Sequence, residues 1–85
     1  MLFRSMMQAR DLLLNNVKVK FLHSTLVSCY MKDQTPDVQA DRAKISRILV
    51  QETGDAEVAA AVCALAKIEA KKRKDERKQQ SEVKV

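Results

Sequence analysis

One glycine and one proline in 85 residues leave little material for tight turns. Sheets need many such turns, so their scarcity points to helix. Aromatics are scarce too: two Phe, one Tyr and no Trp. A core must then be built from aliphatic side chains and methionine. Two cysteines, Cys29 and Cys63, stand far apart, each in an apolar stretch. That pattern belongs to a reducing compartment rather than to a disulfide framework. One histidine and two scattered cysteines lack metal-ligand spacing, which argues against a zinc site. No apolar run approaches the roughly 20 residues of a membrane span. No glycine-rich phosphate loop is present. Ser24 follows His23, but adjacent helical residues do not face each other, so no catalytic dyad results. An enzyme is therefore not expected, nor a resident cofactor.

What the chain has is positive charge, unevenly spread. The net charge is +5. Residues 1–31 carry four bases against Asp11 alone, residues 32–66 carry four bases and six acids, and residues 67–85 carry eight bases and four acids. Two basic segments flank an acidic middle, so acidic partners are expected: RNA, an anionic lipid surface or an acidic protein. A chain this short buries only roughly 60–65% of its unfolded surface, so a partner is also a natural source of stability.

Hydrophobic spacing predicts an all-α protein, a small bundle of three to four helices. In residues 2–14, Leu2, Phe3, Met6, Met7, Leu13 and Leu14 recur at helical steps. Asn15 and Asn16 then favour a stop or turn. Residues 17–31 begin with strand-like alternation at Val17 and Val19, but Leu22, Leu26, Cys29 and Tyr30 step as a helix does. With no partner strand elsewhere, helix is the expectation. Thr35, Pro36 and Asp37 form a helix start, with Thr as cap and Pro at the first helical position. The third helix should turn Val38, Ile45, Ile48 and Leu49 inward. Gly54 sits where a C-terminal cap belongs, and Asp55 can cap a fourth helix that turns Val58, Ala61, Val62, Leu65 and Ile68 inward.

The last helix changes character at Lys67. The sequence divides there into a helical domain, residues 1–66, and a basic tail, residues 67–85, which is expected to fray into disorder. The tail's Lys71, Lys72, Arg73, Lys74, Arg77 and Lys78 could hold RNA phosphates or anionic lipid. A solvated, solubilising helix end is the plainer reading. Four acids intersperse the bases, and no aromatic offers a stacking platform.

The first ten residues, MLFRSMMQAR, are basic, amphipathic and free of acid, as in a mitochondrial presequence. Against a cleaved leader, the helical pattern runs unbroken to Leu14. Leu2-Phe3-Arg4 followed by Ser5-Met6-Met7-Gln8-Ala9-Arg10 resembles the start of the LYR-motif proteins, with Phe in place of the usual Tyr. Tyr30 stands near the place of the aromatic that closes their second helix, with Phe21 as a second candidate. The resemblance covers roughly residues 2–65. It implies a three-helix protein of the mitochondrial matrix that binds the acidic acyl carrier protein. It also implies a role as adaptor, assembly factor or subunit for a respiratory or iron–sulfur complex. By the same resemblance Leu2, Phe3, Arg4, Arg10, Lys18, Lys20 and Tyr30 would contact the partner, and its acyl-phosphopantetheine would be the only prosthetic group involved. The competing expectation is a small basic RNA-binding subunit of a ribonucleoprotein such as the mitochondrial ribosome.

Overall fold

A computed structural model describes the backbone of residues 2–83 and the side chains of residues 4–77. The side chains of Leu2, Phe3 and Lys78 lie outside the described residues. Four helices follow in order: α1 (Leu2–Asn15), α2 (Val17–Met31), α3 (Pro36–Thr53) and α4 (Ala56–Val83). No strand occurs among the described residues.

Each boundary has a local cause. Asn16 adopts extended backbone angles between α1 and α2, and its side chain accepts from the Val19 N–H at 3.2 Å. The two asparagines thus end one helix and cap the next. Thr35 caps α3 in the same way, accepting from the Val38 N–H at 3.4 Å, and Pro36 takes the first helical position. Gly54 closes α3 with φ +72°, and its N–H donates to the Val50 carbonyl at 2.9 Å. Asp55 caps α4 by accepting from the Glu57 N–H at 2.8 Å.

Pairings between side chains set the helix directions. Lys18 at the start of α2 meets Glu52 near the end of α3, and Tyr30 near the end of α2 meets Arg42 in α3. The two helices therefore run antiparallel. Cys63 of α4 meets Ser46 of α3 and the two helices are joined by a tight turn at Gly54, so they too are antiparallel. α1 packs on α2 and α4, and Ser5 of α1 donates to the Glu57 carboxylate at 3.2 Å. Among the described residues α1 and α3 do not pack on each other, whereas α2 and α4 each touch all three others.

α4 supplies much of what is buried. Its inner row is Val58, Val62, Ala66 and Ala70, spaced by fours, with Ala59 and Ala61 beside it. Small side chains let three neighbours approach one helix closely. Leu26, Leu49, Val19 and Val27 fill the remaining core. Sealing each such aliphatic side chain contributes about 1.5–3 kcal/mol.

The expected inward faces hold only in part. Leu26, Cys29, Ile45, Leu49, Val58, Ala61 and Val62 are buried, and Leu13, Leu22, Tyr30, Val38 and Leu65 are half-buried against them. Met7, Leu14, Ile48 and Ile68 are exposed instead. The inner row of α1 is Ser5, Ala9 and Leu12, and Met7 and Leu14 each stand two residues from a member of it, about 200° round the helix. Ile68 has the same relation to Ala66 and Ala70. The helix also continues past Lys67 without a break, with Ala70 only 2% exposed. An inward-facing position therefore follows Ile68, which the apolar pattern alone had not indicated. With 28 residues, α4 is about 42 Å long and overhangs the shorter helices. Residues 71–77 are all exposed.

Candidate interaction surfaces

Two surfaces stand out, one at each end of α2. The first lies at the corner where α1 turns into α2. Leu14 is 82% exposed, Val17 83% and Phe21 69%, and Met7 on α1 is exposed as well. Leu14, Val17 and Phe21 follow one another within eight residues of sequence, and large apolar side chains at such exposure, where they adjoin, usually mark a surface that is covered by something else. Arg4, Arg10, Lys18 and Lys20 are all exposed on the same two helices. Lys18 reaches Glu52 at 3.8 Å, an exposed pair worth well under about 1 kcal/mol and easily exchanged. Asp11, the sole acid in the first 31 residues, lies instead by a separate hollow with Gln8, Thr53 and Asp55. The corner is thus apolar and basic.

The second surface is a cleft of about 420 Å³ where the end of α2 and α3 face the basic part of α4. Tyr30, Gln34, Arg42, Lys67, Ala70, Lys71 and Lys74 line it. Lys67, Lys71 and Lys74 step by four and three, so they share one face of α4. The Arg42 guanidinium lies over the Tyr30 ring at 4.8 Å from its centre. Such a contact contributes about 0.5–2 kcal/mol. The Arg42 Nε is buried without a hydrogen-bond partner. Gln34 fixes the rim, its amide donating to the carbonyls of Cys29 at 3.1 Å and Lys32 at 2.9 Å.

Tyr30 and the bases Lys18 and Lys20, expected to share one interface, are thus separated. They stand ten and twelve positions apart on one helix, about 15–18 Å. Tyr30 lines a cleft with two of the tail bases instead, Lys71 and Lys74. Lys72 and Arg77 are exposed but do not line the cleft. Arg73 is turned to Glu69, with Nε donating at 3.2 Å. Arg42 and Lys67 were not singled out from the sequence. The spacing of Lys67 with Lys71 and Lys74 was a readable signal; Arg42 looks there like one more base in an acidic segment.

The reactive side chains are less conspicuous. His23 is half-buried near the Leu65 carbonyl and Glu69 on α4. Burial lowers its pKa from the ordinary value, Glu69 and the carbonyl pull it back up, and Arg73 lowers it slightly further. Burial pushes the Cys63 thiol up, against the smaller effects of the Ser46 hydroxyl at 3.9 Å and of Arg42. Both cysteines are free thiols, and Cys29 is buried. Among the described residues no three His, Cys, Asp or Glu side chains come together to hold a metal, and no helix is long and apolar enough to cross a membrane.

No family model, no curated protein and no solved structure matches this chain. The likeness to LYR-motif proteins rests on the sequence alone, chiefly Leu2 to Arg10 and Tyr30 within residues 2–65.

Proposed function

We propose that this chain is a non-enzymatic adaptor that docks an acidic protein partner on the α1–α2 corner. One observation carries the reading: Leu14, Val17 and Phe21 stand in solvent next to exposed bases, and no acid on α1 or α2 other than Asp11 accompanies them. Apolar anchors hold a partner once it has docked, while exposed bases attract an acidic surface and set its register. The resemblance at Leu2-Phe3-Arg4 names the partner: an acyl carrier protein of the mitochondrial matrix, with a respiratory or iron–sulfur complex as client. Binding would also stabilise a chain with little core of its own. Affinity purification of the tagged chain from mitochondria, with mass spectrometry, tests the reading. The acyl carrier protein is expected among the captured proteins, in an amount reduced by Arg4→Ala. Its absence, or a capture unchanged by that substitution, would remove the proposal.

A second reading has its own support. The exposed bases of α4 overhang the bundle, a placement suited to RNA phosphates in a ribonucleoprotein. It calls for salt-dependent RNA binding that disappears when Lys71, Lys72, Arg73 and Lys74 are neutralised.

A further inference from the structure

The cleft at the far end of α2 from the docking corner is a separate feature, and it is electrically unbalanced. Four cations converge on it: Arg42, Lys67, Lys71 and Lys74. Among the described residues no carboxylate lines it. Like charges three and four residues apart on a helix repel, so the arrangement costs stability when nothing sits between them. Arg42 sharpens the imbalance. Its guanidinium is held over Tyr30, its Nε is buried and unpartnered, and among the described residues it forms no ion pair. A partly dried cation without a counter-charge is costly, and an anion entering the cleft would relieve that cost.

The dimensions choose the kind of anion. About 420 Å³ falls in the range of small-molecule sites. The three lysines span about 10 Å along α4, which suits a compact chain of anionic groups. Tyr30 is the one aromatic lining the cleft and Arg42 covers one of its faces, which leaves no platform to stack a series of bases as a nucleic-acid strand requires. Lysines act as movable point charges for phosphate oxygens, and an arginine adds a planar fork of donors. The bonds from Gln34 to Cys29 and Lys32 hold the rim in place before a ligand arrives.

We infer that the cleft walled by Tyr30, Arg42, Lys67, Lys71 and Lys74 binds a small polyphosphate, a chain of phosphates either free or carried by a nucleotide. The inference stands apart from the acidic-partner reading and involves none of the residues of the corner.

Calorimetric titration of the full chain with inorganic tripolyphosphate and, separately, with adenosine triphosphate tests it. Saturable one-to-one binding is expected with tripolyphosphate. Equal affinity for the nucleotide means that the phosphates alone are read, and tighter nucleotide binding means that the base is read too; both agree with the inference. Arg42→Gln and Lys71→Gln should each weaken binding roughly tenfold or more. Arg47→Gln, an equal loss of charge on α3 outside the cleft, should leave it unchanged. Lys71 is exposed, so its substitution keeps the test valid even if Arg42→Gln fails to fold. Three results would overturn the inference: no saturable binding, equal weakening by Arg47→Gln, or single-stranded RNA of matched phosphate number binding more tightly than tripolyphosphate.

Discussion

At the scale of single residues, the positions most visible in the sequence were those with special backbone chemistry. Asn16, Thr35, Pro36, Gly54 and Asp55 all stand at helix ends, because each offers something a helix interior cannot use. Gly54 gives a clean case. Nothing lies within 4 Å of where its Cβ would be, so only the left-handed backbone opposes a side chain. Gly54→Ala should therefore cost about 1–2 kcal/mol in urea unfolding, through strain alone. His23 makes a statement about pH. The unfolded imidazole takes up its proton near roughly pH 6.5, and the folded one only at lower pH because burial opposes the charge. The unfolded chain thus binds more protons between the two values. The stability that neutral His23 allows is complete above about pH 6.5 and is lost as pH falls through the folded value. Unfolding midpoints measured from about pH 7.5 down to 5 should fall more steeply for the native chain than for His23→Gln. Parallel curves would show that burial of His23 has no such consequence.

At the scale of elements, four helices and their order were legible, but four of the expected inward positions, Met7, Leu14, Ile48 and Ile68, are exposed. Reading a face from hydropathy favours the largest apolar side chain in each turn. That picks Leu26, Leu49 and Val62 correctly, and it picks Leu14, Ile48 and Ile68 wrongly. α4 shows why. Where its neighbours approach closely, small size counts as much as hydrophobicity, so Ala59, Ala61, Ala66 and Ala70 are buried in the seam of α4 and Ile68 is turned out. Ser5 is the same lesson on α1, buried because its hydroxyl reaches Glu57. The seam can be probed at Ala66, which is fully buried. Ala66→Leu adds apolar surface yet should destabilise the fold by about 1–3 kcal/mol, since no space exists for the extra methylenes. Thermal unfolding measures this, and an unchanged or raised midpoint would mean that the seam is loosely packed.

At the scale of the whole molecule, charge and apolar exposure are segregated to the two ends of α2. The asymmetry of charge along the chain was plain from the sequence. Its division between an apolar, basic corner and a purely basic cleft was not, because that depends on the fold. Residues 30, 42 and 67–74 meet only after α2, α3 and α4 have packed. Conversely, Leu14 looked like core material until the inner rows were known, and the exposure of Phe21 was not indicated at all. Their exposure carries little stability, so Leu14→Ser with Phe21→Ser should leave the unfolding free energy within about 1 kcal/mol of the native value. That separates docking from folding. The decisive measurement is calorimetric binding of the full chain to purified, acylated mitochondrial acyl carrier protein, made with the native chain and with this double variant. Saturable one-to-one binding by the native chain, weakened roughly tenfold or more in an equally stable variant, is the expected result. No binding by the native chain, or equal binding by both, would contradict docking at the corner.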